Sequence, residues 1–415
     1  DMSDWQNLSE QLRKLGVKFG VQEQEKAKPH QTDEFPIESV LNCSETRTPI
    51  GDIISIRKQF PLSYTHGTHN IIPSDTFKRI LAWANIPEHE NIKLENLIFL
   101  DTETTGLSGG TGTMVFMIGL AKFTGTDLLL EQFFLRNPSE EEAFLHAISQ
   151  FCADMKAVVS YNGKAFDIPI LNTRHILQRI PSPFINIHHI DLLTISRQLW
   201  RLRLSQCRLA NIEQEILQYY RQDGEVPGYL VPEFYKNYLH TGDARPLKGV
   251  FYHNQEDVLS LTALFSLIAD ILEAPFNANL PYPVDVYSLG KIFEQLHEPE
   301  IANKLYKHSQ HHEQDTALRL RYILQQASLL KRQNLSQHAI PLWEEAATHY
   351  NLQAIEELAK YHEHKSKQLH LALELCQKAL SYFETERNTE TDSYRLFKHR
   401  QLRLIRKINR EKNKN

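Results

Sequence analysis

Asp101 and Glu103 close an apolar run, "NLIFLDTET", just ahead of a glycine-rich segment. Two residues apart on a strand, their side chains point to the same face. Carboxylates forced together repel unless a cation lies between them. Two further acids stand where the same chemistry would want them. Asp167 follows Phe166 in "VVSYNGKAFDIPIL", after an expected strand and turn, where it can equally serve as a helix N-cap. Asp257 lies in "HNQEDVLSLTALF", beside an expected buried stripe of Val258, Leu261, Leu264 and Phe265. An acid beside such a stripe is costly without a partner. Gathered into one cluster, the four carboxylates make a hard-oxygen site suited to Mg²⁺ or Mn²⁺. Two such ions about 4 Å apart support phosphodiester cleavage by activating water and stabilising the leaving oxygen.

The elements that must hold these acids are legible from the pattern. "NLIFLDT", "MVFMIGLAKF" and "LLLEQFFL" are short apolar runs separated by Gly, Thr and Asp, which predicts three consecutive strands. Ser139 and Glu142 predict a capping box opening an amphipathic helix. "AVVSYN" then reads as a strand, "FDIPILNTRHILQ" as a helix, and "GVFYHNQEDVLSLTALFSLIADIL" as a longer helix. Strands followed by alternating strand and helix predict an α/β sheet flanked by helices. After the Pro/Asn-rich "APFNANLPYPV" the pattern turns wholly helical. There "ANKLYKHSQ", "AIPLWEEAA" and "ALELCQKAL" begin at Ala302, Ala339 and Ala372, spaced by 37 and 33 residues. That spacing is close to the roughly 34-residue period of tetratricopeptide hairpins.

The 415 residues exceed one ordinary core, and the four scattered cysteines fit neither a disulfide framework nor a zinc knuckle. No apolar run reaches the roughly 20 residues needed to cross a bilayer. Without a membrane segment or signal-peptide pattern, a cytoplasmic protein is expected. The net charge of −5 argues against a general polyanion binder, but from Tyr394 onward Glu411 is the only acid in a Lys/Arg-dense tail.

"FLDTETTGL", "VVSYNGKAFDIPIL" and "HNQEDVLSL" resemble, in order, the three motifs of the DEDD superfamily of 3′–5′ exonucleases. "GGTGT" and "DLLTISRQLWRLRLSQCRLANIEQEIL" are similar to its bacterial YprB-like group, which includes the mitomycin repair factor exonuclease with C-terminal tetratricopeptide-like repeats. The resemblance implies an α/β RNase H-like nuclease domain followed by an all-α repeat domain. It implies Asp101, Glu103, Asp167 and Asp257 as ligands of two Mg²⁺ or Mn²⁺ ions. It further implies 3′-end hydrolysis of nucleic acid, DNA rather than RNA, in repair, and a helicase partner engaged through the repeats. The expected division is an arm over 1–60, the nuclease domain over 61–274, a linker over 275–284, repeats over 285–393 and a basic tail over 394–415.

The general base is open between two residues. The superfamily carries a His five residues, or a Tyr four residues, before the last Asp; this chain has Tyr252 five before and His253 four before. If a helix already includes position 253, His253 shares a face with Asp257 and is the better proton acceptor. If the helix begins after Asn254, Tyr252 returns to contention. Thr104, Gly106, Asn162, Phe166 and Arg201 are candidate substrate contacts. "SGGTGT" lacks the Lys of a phosphate-cradling Walker loop; its glycines either admit a nucleic-acid end or make an ordinary hairpin turn. Asn162 and Phe166 fit a turn and a core position as well as a sugar or base contact. Asp191 reads as a fifth acid or a helix cap, and His188 with His189 as a weak metal pair. Arg197, Arg201, Arg203 and Arg208 around Trp200 read as a phosphate surface with a stacking aromatic, or as a solvated face. A phosphatase using the same acids, and a non-catalytic adaptor, are the competing functions.

Overall fold

The computed structural model describes residues 35–106, 112–221 and 226–412. The first 34 residues of the expected arm, and most of "SGGTGT", lie outside them. In chain order come α1 (Ile37–Leu41), β1 (Ser44–Arg47), β2 (Asp52–Pro61), β3 (Thr65–His66), β4 (His69–Asn70), α2 (Lys78–Trp83), β5 (Leu97–Thr104), β6 (Val115–Phe123) and β7 (Asp127–Phe134). They are followed by α3 (Glu141–Phe151), β8 (Ala157–Ser160), α4 (Asp167–Leu177), β9 (His188–Asp191), α5 (Leu192–Trp200), α6 (Leu209–Ile212), α7 (Val231–Thr241) and α8 (Leu247–Glu273). The main sheet runs β1-β2-β7-β6-β5-β8-β9, with β3 and β4 forming a separate ribbon. β5 pairs antiparallel with β6 and parallel with β8, which in turn runs parallel to β9.

β5 is central because it is apolar on both faces. Leu97 and Phe99 join the core that contains Val258, Leu261, Leu264 and Phe265 of α8. Ile98 and Leu100 join the opposite core with Phe144 and Ile148 of α3. Each such side chain contributes about 2 kcal/mol by leaving water. Phe99 meets Phe265 edge-on at 5.6 Å, which fixes the height of α8 against the strand. The expected stripe on α8 is therefore the face that lies on the sheet.

Two expectations change. The segment assigned to an arm already contributes β1 and β2, and Ile54 of β2 stands opposite Phe134 of β7. Such pairing joins residues distant in sequence and leaves no local periodicity to read. The capping box does not form either: Asn137 accepts from Ser139 N at 3.0 Å, Pro138 opens a short 3₁₀ turn, and α3 begins only at Glu141.

An all-helical region follows: α9 (Pro283–Gln295), α10 (Pro299–His312), α11 (Thr316–Arg332), α12 (Ser336–Thr348), α13 (Leu352–His364), α14 (Leu369–Thr385) and α15 (Asp392–Lys412). Each packs on its sequence neighbours. Ala302, Ala339 and Ala372 are buried in alternate helices, as are Tyr306, Trp343 and Cys376 four residues on. The region is tied to the sheet domain by ion pairs. Arg203 Nε donates to Asp285 at 2.9 Å, and Arg79 forks onto Glu298 with two bonds of 2.8 Å. The basic tail is largely α15, docked through Phe397, Leu404 and Ile408. Glu363, whose side chain is fully buried, accepts from Arg400 at 2.8 Å, Arg403 at 2.7 Å and Lys407 at 2.7 Å.

Candidate active site

The strand end and the helix meet through a missing side chain. Asp101 stands opposite Gly119 in the β5–β6 ladder. A Cβ at Gly119 would lie 2.8 Å from Val258 Cγ2 and closer still to Asn254 Oδ1. Glycine is what lets α8 approach. Asn254 uses that approach: its Nδ2 donates to Asp101 Oδ2 at 2.9 Å, while its Oδ1 accepts from Gln132 Nε2 at 2.9 Å. Asp101 and Glu103 share the Leu97–Phe99 face and so look toward α8, and a bulge between Glu103 and Thr104 ends the strand.

α8 begins at Leu247, so position 253 is helical and the condition stated for His253 is met. His253 Nε2 lies 3.4 Å from Asp257 Oδ2, one turn on. Tyr252 instead meets Tyr219. Glu103, His253 and Asp257 offer atoms all within 4.8 Å of one another. Asp101 and Asp167 fall outside that tight group but remain within electrostatic reach of it.

Asp167 is the first residue of α4, with Phe166 as N-cap, and it accepts a short hydrogen bond from Thr102 Oγ1. Asp191 holds the turn leading to it. It caps α5 through Leu193 N at 3.1 Å and also accepts from Asn162 N at 2.9 Å and Lys164 N at 3.3 Å. Asn162 has φ of 68°, a left-handed turn conformation that Asn tolerates well. Both readings of Asp191 therefore meet in one residue, since its charge also acts on Asp167.

The electrostatics follow from crowding acids away from water. Burial pushes Asp101 well above the carboxylate range, with Asp257, Glu103 and Asp167 adding to the push. Burial does the same to Glu103, with Asp257 and Asp167 behind it. Burial raises Asp167 to about 6, although the bond from Thr102 opposes the rise. Among the described residues the counter-charge is Arg221, which sequence reasoning missed. Its Nε and Nη2 donate to Glu213 at 2.9 and 2.6 Å, Nη2 also bonds Asp257, and Nη1 donates to His253 Nδ1 at 3.0 Å. Burial works against the Arg221 charge, but Asp257 and Glu213 outweigh it and hold the guanidinium protonated.

Of the candidate substrate contacts, Phe166 is 52% exposed beside Asp167 and Arg201 is exposed at the end of α5. Thr104 Oγ1 donates to Gly106 O at 3.0 Å, closing the turn after β5. Trp200 is 1% exposed and cannot stack on a base; it belongs to the core beneath α9. Arg203 is taken by Asp285, leaving Arg197, Arg201 and Arg208 on the surface. His188 and His189 are successive strand residues on opposite faces: His189 bonds Ser160 Oγ at 2.7 Å, and His188 faces Glu90 at 3.7 Å. They form no metal pair.

The donor set fits a hard divalent ion. Four carboxylates lie within electrostatic reach of one another, burial and neighbouring acids disfavour the charges of Asp101, Glu103 and Asp167, and a guanidinium cation reaches Asp257. The RNase H superfamily model matches residues 98–269, from β5 into α8. The uncharacterized protein YprB of Bacillus subtilis (strain 168) is 33% identical over 336 residues, covering 78% of this chain and 79% of that protein. The family B DNA polymerase of the hyperthermophilic archaeon Pyrobaculum calidifontis aligns with 51% of this chain and 29% of its own at 15% identity, with a TM-score of 0.32. Among the described residues no helix is long and apolar enough to cross a membrane.

Proposed function

Because the chain belongs to the family of the Bacillus subtilis protein YprB and carries an RNase H superfamily domain, we propose that it is a metal-dependent exonuclease acting on the 3′ end of nucleic acid, DNA rather than RNA. The observation that carries this reading is the meeting of Asp101, Glu103, Asp167 and Asp257 where β5, α4 and α8 converge, with His253 one helical turn from Asp257. In it those four acids hold Mg²⁺ or Mn²⁺, two ions per site. The ions supply Lewis-acid charge that stabilises the leaving oxygen of the phosphodiester. His253 takes a proton from the attacking water, as a general base one helical turn from Asp257. Phe166 offers a face for the terminal base, Thr104, Gly106 and Asn162 line the approach of the last nucleotide, and Arg201 meets the backbone phosphate. The helical region, read as tetratricopeptide-like repeats over 285–393, docks a helicase partner that supplies ends, in a DNA-repair setting.

The test incubates the full chain with 3′- and 5′-labelled single- and double-stranded DNA and RNA, with Mg²⁺, Mn²⁺ or a chelator, beside Asp101→Asn. Release of mononucleotides from the 3′ end, dependent on metal and lost in the variant, is expected. Hydrolysis of small phosphomonoesters with no attack on polynucleotides would replace this reading with a phosphatase. Undiminished nuclease activity in the variant would sink the proposed site.

A further inference from the structure

We infer that Arg221 competes with a divalent ion for Asp257, so that the ion binds by exchanging with the guanidinium at that carboxylate. This rests on the reading of the four acids as metal ligands.

The argument begins with atoms. Both oxygens of Asp257 are engaged: Oδ1 accepts from Arg221 Nη2, and Oδ2 faces His253 Nε2 at 3.4 Å. An ion at Asp257 must therefore compete with the guanidinium for Oδ1, like charge beside like charge, so the two do not share that oxygen comfortably. The same guanidinium fixes His253. An Arg N–H only donates, so His253 Nδ1, 3.0 Å from Nη1, must be the acceptor. The neutral ring then carries its proton on Nε2, the nitrogen that faces the acids. In that tautomer His253 cannot accept a proton from that side. One side chain thus withholds a ligand and disarms the base together.

The arrangement is also anchored for movement. Glu213 grips Arg221 through a two-bond fork and is itself nearly buried, with Oε1 accepting from Ser260 Oγ at 2.5 Å. Ser260 in turn meets His66 Nε2 at 2.8 Å. If Arg221 swings away from Asp257 and His253, the Glu213 carboxylate remains its acceptor, so the charge is never stranded. A divalent ion then supplies the positive charge that the crowded acids lose. His253 is freed to carry its proton on Nδ1 and to present Nε2 as acceptor.

The test titrates chelator-treated full-length protein with Mn²⁺ in the absence of nucleic acid, by calorimetry and by the paramagnetic signal of free Mn²⁺. Four proteins are compared: the parent, Arg221→Gln, Arg221→Lys and Asp101→Asn. Arg221→Gln should bind Mn²⁺ on the order of tenfold tighter than the parent, with Arg221→Lys between them. Metal-free Arg221→Gln should melt lower than the metal-free parent, and the gap should narrow once both are loaded. If Arg221→Gln fails to fold by circular dichroism, Arg221→Lys carries the test in the same direction. Unchanged or weaker Mn²⁺ binding in the Arg221 variants, with binding still lost in Asp101→Asn, overturns the exchange and leaves the metal site standing. Absence of Mn²⁺ binding in every protein overturns the metal site, and the exchange falls with it.

Discussion

Gly119→Ala puts one methyl group at the point where the helix carrying His253 and Asp257 rests on the strand carrying Asp101. The added Cβ would sit 2.8 Å from Val258 Cγ2 and 3.1 Å from Asn254 Cγ. Carbon atoms rest at about 3.5 to 4.0 Å, so the helix must retreat by about 1 Å. Neither neighbour can swing aside cheaply: Asn254 is held by Gln132 and Asp101, and Val258 is fully buried. Overpacking of this kind costs about 2 kcal/mol, which lowers the melting temperature by roughly 4 °C. The catalytic consequence should be larger, because a misplacement of about 1 Å at a site of this kind costs roughly 10²-fold in rate. Thermal melts, Mn²⁺ titration and 3′-end release measured on one preparation give all three numbers. A variant that melts with the parent and cleaves within about twofold of it would refute the claim that this contact sets the site.

Three further outcomes follow from named contacts. His253→Ala should lose about 10²- to 10⁴-fold in turnover while Mn²⁺ binding survives, and Tyr252→Phe should lose little; the reverse pattern in single-turnover assays would move the base to Tyr252. Asp167, raised to about 6 by burial, favours its proton more in the folded than in the unfolded chain, so its contribution is fully present below pH 4 and is lost as pH rises through 6. Melts of the metal-free protein should show that fall, of which Asp167 contributes about 3 kcal/mol, and Asp167→Asn should make it shallower. Glu363→Gln should destabilise the chain by about 2 kcal/mol in denaturant titrations, because Arg400, Arg403 and Lys407 lose the negative charge they share and one of its two accepting oxygens, while Arg403 and Lys407 keep access to water.

What the sequence made legible was local and periodic. The alternation of β5 put Asp101 and Glu103 on one face, and the apolar stripe from Val258 to Phe265 gave the face of α8 that lies on the sheet. The pairing of His253 with Asp257 followed from helix geometry only once the helix start was known, a boundary that the stripe did not reach and that left Tyr252 in contention. The helical alanines at 302, 339 and 372 declared their burial by spacing. What stayed hidden depends on contacts between distant segments. Arg221 lies 36 residues before Asp257 on a non-periodic stretch, and nothing local marks its guanidinium as the partner of Asp257 and His253. Asn254 looked like an ordinary polar residue of a helix until Gly119 brought it to Asp101. Trp200 sat among arginines and suggested stacking, but α9 covers it from a part of the chain more than eighty residues on. Likewise β2 is tied into the sheet by its distant partner β7, although the turn from Thr48 to Gly51 that joins it to β1, before "DIISIRKQF", was a signal that could have been read.

Crystals of the full chain soaked in Mn²⁺ and measured at the manganese absorption edge test the central claim most directly. The account predicts anomalous peaks within ligand distance of Glu103 and Asp257, with Asp101 and Asp167 completing the cluster and Arg221 drawn back onto Glu213. Strong Mn²⁺ peaks elsewhere, with Arg221 still bonded to Asp257 in a protein that cleaves nucleic acid under the same conditions, would contradict it.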